Sequence, residues 1–367
     1  MKKQWIVGIL VLVVGAFLVI KFAGQEKKEE ENVIKIGAIL PLTGAGSEFA
    51  QYIKEGIDLA IVEVNNSSKT KFFVKYEDSK TQPKEGVASY QKIIATDDPL
   101  FTIVALSSVA KAIAPIAIEN KKQLVLTAVA IPNVTNGKNI IRIYPEANGM
   151  AGVMAKYNAE NLKAKTSAVI YLNDDFGRAS LEVYKNEFSK YGGTLLMNEP
   201  YEMQQTDFKT LLLKLRSLPS TPDVIYLSGY GPAYASIVKQ LREANVKSTI
   251  TADMTMGLPN TLRVCGSASE GVVFVDGKMN SGFIEKFNNK YSKEPTSYSG
   301  YSYDIIKMAV AAIGIEPPLQ KVFSESLIDL GDYNGAMGKI KIEANGESNL
   351  EFAVKKITNG KIIFITQ

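Results

Sequence analysis

A short apolar run that stops at a proline and two glycines, then passes into a long amphipathic stretch, constrains this chain more than any other segment. Ile34-Lys35-Ile36-Gly37-Ala38-Ile39-Leu40 is mostly apolar with β-branched residues, as a strand buried in a parallel sheet would be. Pro41-Leu42-Thr43-Gly44-Ala45-Gly46-Ser47 ends it as a loop. From Phe49 to Asn65 the residues Phe49, Ile53, Ile57 and Ile61, with Leu59, Ala60 and Val64 beside them, recur at helical steps and form one apolar face. That face has to pack back on the strand, which makes a βα unit. In an open α/β sheet the loop between the two lies at the carboxyl edge, where ligands bind. Gly44 and Gly46 also invite a dinucleotide loop, but the third glycine of that fingerprint falls at Phe49.

The chain has 367 residues, 46% of them apolar, enough for two domains with cores of their own. Its net charge of +4 is not gathered into a face or tail, so nucleic-acid binding is not indicated. With no histidine and a single cysteine, Cys265, an internal disulfide framework and catalysis by a histidine base are excluded, and His- or Cys-based metal sites nearly so. Lys2 and Lys3 precede sixteen uncharged residues, Trp5 to Ile20. This run reads as a short membrane anchor or as the core of a cleaved signal peptide. Lys21 stands where a small residue would be needed for cleavage near Ala23, which favours the uncleaved anchor. The positive-inside rule then places everything after residue 24 outside the cell. The charged run from Gln25 to Glu31 reads as a solvated tether.

Further strands are expected at Phe72–Tyr76, Thr102–Leu106, Leu124–Thr127, Ile140–Ile143, Thr166–Leu172, Asp223–Leu227, Ser248–Ala252 and Gly271–Val275, alternating with helical patterns. Ser107-Ser108 follow the third strand directly, where a hydroxyl can cap the next helix and its free N–H groups can hold a ligand carboxylate; both uses can coexist. Pro115 predicts a kink or restart in that helix. Asp78, after the second strand, reads as a loop or capping carboxylate. Gly338–Ile342, Asn345-Gly346 and Phe352–Ile357 read as a terminal hairpin.

Ile36-Gly37 through Pro41-Leu42-Thr43-Gly44, with Gly56, Leu59-Ala60 and Glu63-Val64-Asn65 downstream, resembles the opening of the leucine/isoleucine/valine-binding family of type I solute-binding proteins, the extracytoplasmic receptors of ABC importers. The similarity extends over nearly everything after residue 32. It implies an α/β fold of two Rossmann-like lobes joined by a three-strand hinge, preceded here by the N-terminal apolar helix. Residues 1–24 would then be the anchor or signal segment and 25–32 the charged linker. Lobe 1 would comprise 33–146 and 277–330, and lobe 2 would comprise 147–276 and 331–367, with the third crossing between Leu327 and Gly335.

The resemblance also implies the site. Ser108 falls where the family keeps its carboxylate-binding serine, and Ala130 would contribute through its backbone. Ile131 stands where the family often has a threonine hydroxyl, so either another group compensates or the ligand is not an ordinary α-amino acid. Phe49 and Phe176 would be aromatic walls, ordinary core packing being the alternative for each. Tyr230 would reach into the cleft, with Tyr234 in reserve. Asp253 would take the ligand's ammonium group, or Thr255 would occupy that place if the alignment slips by two residues. Tyr303 and Asp304 read as fold residues.

No nucleophile elbow, phosphate loop or paired acid and base is visible, which argues against an enzyme. The leading reading is a receptor that closes on a small amino acid or related carboxylate and delivers it to an ABC permease. It would work as a monomer, need no cofactor and reach the membrane through its N-terminal helix. A sensor module of the same fold and a nucleotide-binding α/β enzyme are the alternatives.

Overall fold

The computed structural model describes residues 33–314 and 322–366. The first half of the chain alternates strand and helix: β1 (Val33–Leu40), α1 (Ser47–Ser67), β2 (Lys71–Asp78), α2 (Pro83–Thr96), β3 (Phe101–Ala105), α3 (Ser107–Glu119), β4 (Leu124–Thr127) and β5 (Ile140–Arg142). The five strands form one parallel sheet in the order β2-β1-β3-β4-β5. The strands β3, β4 and β5 are buried throughout, which accounts for their unbroken apolar runs.

The second half repeats the arrangement. It runs α4 (Val153–Glu160), β6 (Thr166–Leu172), α5 (Asp175–Lys190), β7 (Thr194–Tyr201), α6 (Lys209–Arg216), β8 (Val224–Ser228), α7 (Pro232–Glu243), β9 (Thr249–Ala252), α8 (Pro259–Cys265) and β10 (Val273–Gly277). The chain then returns to the first lobe through α9 (Ser281–Tyr291), α10 (Ser297–Ile313) and α11 (Phe323–Asp329). It adds β11 (Tyr333–Gly335), β12 (Gly338–Ile342) and β13 (Ser348–Asn349), and ends with β14 (Phe352–Thr358) and β15 (Lys361–Thr366). The second sheet has the order β15-β14-β10-β9-β8-β6-β7, antiparallel only at the β10/β14 and β14/β15 pairs. Each sheet therefore reverses its strand order once, beside β1 and β3 in one lobe and beside β6 and β8 in the other. A crevice opens at the carboxyl ends at such points.

Lobe 1 is closed on its far side by α10, which packs along α1. Gly56 makes this close approach possible, because a methyl group there would collide with the Ser299 carbonyl oxygen and Ser302 Oγ. Tyr303 and Asp304, on the same helix, serve the fold: Tyr303 donates to Glu63 at 2.6 Å, and the buried Asp304 accepts the N–H groups of Ala336 and Met337 at 2.7 and 2.9 Å.

Three expectations need correction. The terminal hairpin is β14 with β15, whereas β12 pairs with β11 and β13 in a separate three-stranded sheet. That small sheet is fastened to lobe 1, with Arg142 N–H donating to the Gly346 carbonyl and the Arg142 side chain paired with Glu347. The third crossing consequently falls at Leu350-Glu351, between β13 and β14, and not between Leu327 and Gly335; residues 333–349 stay with lobe 1. Finally, α3 does not restart at Pro115 but runs through it as one helix. Among the described residues no helix is long and apolar enough to cross a membrane, and the segment expected to do so lies outside them.

Candidate functional site

The loops at the carboxyl ends of the two sheets face each other and enclose a cavity of about 20 Å³, room for about one water molecule. The lobes are thus drawn together. Lys111 on α3 reaches Asp175 on α5 at 2.8 Å, Asn260 N–H on lobe 2 donates to Glu48 on lobe 1 at 2.6 Å, and Tyr144 OH meets Met254 Sδ at 2.9 Å. A larger space of about 330 Å³ adjoins the inner cavity along the cleft mouth and shares Phe49, Tyr230 and Thr255 with it.

Lobe 1 supplies the wall on one side. Phe49 projects from the first turn of α1, and its ring stacks on Tyr298 at 5.3 Å and meets Tyr230 edge-on at 5.6 Å. Leu106 and Ser107 stand where β3 passes into α3. Ser107 does not cap its helix, and no side chain does; its Oγ instead accepts the Ala130 N–H at 3.1 Å, which leaves the hydroxyl proton to be donated. Two non-glycine residues of this wall hold positive φ, Leu106 at 83° and Ala128 at 50°. Such backbone costs on the order of 1–3 kcal/mol per residue and persists only where the surroundings impose it.

Behind the loop that contains Ala128 stands Arg142. Its fully buried guanidinium donates from Nη1 to the carbonyls of Val129 and Ile131 at 3.0 and 2.7 Å and from Nε to Glu347 at 2.8 Å. The loop that carries Ala128 and Ala130 is therefore clamped from behind.

Lobe 2 supplies Phe176, Tyr230 and Thr255. Two carboxylates brace them. Asp174 caps α5 by accepting the Gly177 N–H at 2.8 Å, and it also accepts the Tyr230 hydroxyl at 2.9 Å. Asp253, fully buried, accepts the N–H groups of Gly229 and Thr255 at 2.7 and 2.9 Å and the Tyr234 hydroxyl at 3.2 Å. Burial pushes the carboxyl of Asp253 up to about 6 against the pull of these donors, and it raises Asp174 as well.

Among the residues singled out from the sequence, Phe49, Ala130, Phe176 and Tyr230 line the cavity, and Ser108, Ile131 and Asp253 do not. The side chain that faces the cavity from the start of α3 is Ser107. Strand β3 ends one residue earlier than its apolar pattern indicates. Ile131 lies over an outer groove with Lys111, Pro115 and Pro132, turned away because its carbonyl is held by Arg142. Asp253 stands behind the wall and Thr255 takes the cavity position, as the two-residue slip would have it. Leu106, Ala128, Tyr144 and Tyr298 also face the cavity and were not anticipated. Tyr144 could have been found as the residue just beyond the last strand of its sheet. Tyr298 carries no local signal, since it arrives from α10 after the chain has crossed back.

Two α/β lobes with a cavity between their strand ends define a hinged binding protein. Comparison with known proteins agrees: the family model described as "Periplasmic binding protein" matches residues 33–361, and the chain belongs to that family. Among curated relatives, the Leu/Ile/Val-binding protein homolog 3 of Brucella melitensis is 25% identical over 90% of this chain and 93% of its own length. The Leu/Ile/Val-binding protein BraC3 of Rhizobium johnstonii is 24% identical over 90% and 93%. Among solved structures, the leucine binding protein LivK of Thermotoga maritima superposes with a TM-score of 0.83 at 28% identity, covering 90% of this chain and 97% of that one. The resemblance read from the sequence is thereby borne out.

Proposed function

We propose that this chain is the extracytoplasmic receptor of an ABC importer, binding a small carboxylate-bearing solute between its lobes and presenting the closed form to a permease. The carrying observation is the cavity at the strand ends of both lobes, where Ser107 and Thr255 offer hydroxyls and Phe49, Phe176 and Tyr230 offer rings. A solute touching both lobes stabilises closure by its differential affinity for the closed form, and the closed form is the signal a permease can read. The curated relatives named for leucine, isoleucine and valine binding, and the leucine-binding structural neighbour, support a solute of that size. In this reading the N-terminal apolar segment tethers a monomeric receptor to the outer face of the membrane.

A thermal-shift screen of the full-length chain against small amino acids and carboxylates tests the proposal. At least one compound is expected to raise the melting temperature, with Ser107→Ala removing most of the gain and Ser108→Ala leaving it intact. A screen in which no small solute raises the melting temperature refutes the receptor reading.

A further inference from the structure

Resting on the receptor reading above, we propose that the cleft selects a small monocarboxylate with a branched or aromatic apolar body and rejects the α-amino acid of the same skeleton. The first ground is the cavity wall: each of its lining residues is uncharged. An ammonium group brought into it needs a partner, because an unpaired buried charge is far costlier than an unpaired neutral group.

Three carboxylates stand near: Glu48, in the wall of the adjoining space, already accepts the Asn260 N–H at 2.6 Å, and the two closer to the cavity do not serve. Asp174 and Asp253 sit behind Tyr230 and Thr255. Both oxygens of each are engaged by protein donors: Gly177 N–H and Tyr230 OH on Asp174, and Gly229 N–H, Thr255 N–H and Tyr234 OH on Asp253. Turning either toward a ligand would strip N–H groups that hold the strand-end loops. Among the rings, Phe49 and Tyr298 each lose one face to their stack and Tyr230 meets Phe49 edge-on. A primary ammonium, compact and strongly hydrated, would lose more water than such edges return.

What the wall does offer suits an anion. Ser107 has a proton to donate because its oxygen already accepts from Ala130, and α3 begins beside it with no side chain capping its first turn. Uncapped helix N–H groups and a hydroxyl together hold a carboxylate. The remaining wall, Leu106, Ala128 and the rings, is apolar, and a body larger than one water extends along it into the adjoining space of about 330 Å³ that shares Phe49, Tyr230 and Thr255.

Calorimetric titration of the full-length chain with matched pairs decides the matter: 4-methylpentanoate against leucine, and 3-phenylpropanoate against phenylalanine. At least one des-amino acid is expected to bind ~10-fold or more tightly than its amino partner, the scale of one unpaired charged group. Thr255→Glu, which brings a carboxylate to the wall, is expected to narrow or invert that ratio. If neither des-amino acid binds more tightly than its amino partner while any of the four binds, the inference is overturned and the receptor reading stands. If none of the four binds, and the wider thermal screen is also silent, both fall together.

Discussion

The two lobes share a topology but brace their halves of the cleft with opposite charges. In lobe 1 a buried cation, Arg142, holds the 128–131 loop by its carbonyls and ties it to the β11–β13 sheet through Glu347. In lobe 2 two carboxyl groups, the half-buried Asp174 and the fully buried Asp253, hold the loops after β6, β8 and β9 by their N–H groups. The difference follows from what each lobe has to leave free. On the receptor reading proposed above, lobe 1 would offer N–H and O–H groups beside its rings, and its loop is gripped by its C=O groups; lobe 2 would offer rings and a hydroxyl, and its N–H groups are spent on carboxylates. The braces decide where donors point, and they do so without entering the cavity.

The largest effect is expected on removing the lobe 1 brace. Arg142→Leu leaves two buried carbonyls without their donor, at ~1–3 kcal/mol each, and takes one partner from the half-buried Glu347, which keeps the Thr135 hydroxyl. Urea unfolding should show the loss, and Glu347→Leu added to Arg142→Leu should restore part of it. If Arg142→Leu unfolds at the wild-type urea midpoint, the arginine is a passenger and the contrast between the lobes collapses.

In backbone packing the lobes should behave alike. A methyl at Gly56 strikes the Ser299 carbonyl across α1 and α10, and one at Gly177 strikes the Leu172 carbonyl at the start of α5. Neither backbone can yield cheaply, so Gly56→Ala and Gly177→Ala should each cost ~1–3 kcal/mol by overpacking. A near-neutral result at one of the two would show that its lobe is the softer.

The braces should part company in pH. Asp253 has its carboxyl raised from 3.8 to about 6 by burial. A carboxyl whose folded value lies above its unfolded one favours folding in full below about pH 4, and that contribution is lost as pH rises through about 6. The stability of the wild type relative to Asp253→Asn should therefore fall between pH 4 and 7, by on the order of 2 kcal/mol. Chemical denaturation of both proteins across that range measures it. A pH-independent difference would mean that Asp253 titrates in the fold as it does in the unfolded chain.

How far these features could be read beforehand depends on their sequence distance. The strand, loop and helix around Phe49 were legible because all three parts lie within Ile34–Asn65 and each has its own period. Ala130, Phe176 and Tyr230 came from the family resemblance, and the structure places all three in the cavity wall. The resemblance put the serine at Ser108, one position beyond Ser107, because two serines stand side by side after the strand. Arg142 was passed over as a residue within a strand, since its partners at Val129, Ile131 and Glu347 are up to 205 residues away. The third crossing failed for the same reason: nothing near Leu327 shows that β11–β13 is held to lobe 1 by a pair formed at Glu347.

The smallest effect belongs to the exposed ion pair among the contacts that join the lobes. Lys111 on α3 meets Asp175 on α5 at 2.8 Å, with the lysine well exposed. Such a pair is worth no more than about 1 kcal/mol and is screened by salt. It bridges surfaces that separate on opening, so whatever it contributes goes to the closed form and not to the stability of either lobe. Lys111→Ala should leave the urea midpoint unchanged and weaken binding of any cleft solute by no more than ~5-fold at low salt, with the deficit disappearing near 1 M salt. A deficit that persists at high salt would mean that Lys111 acts on the ligand directly, and the wall of the cavity would then have to be redrawn to include a charge.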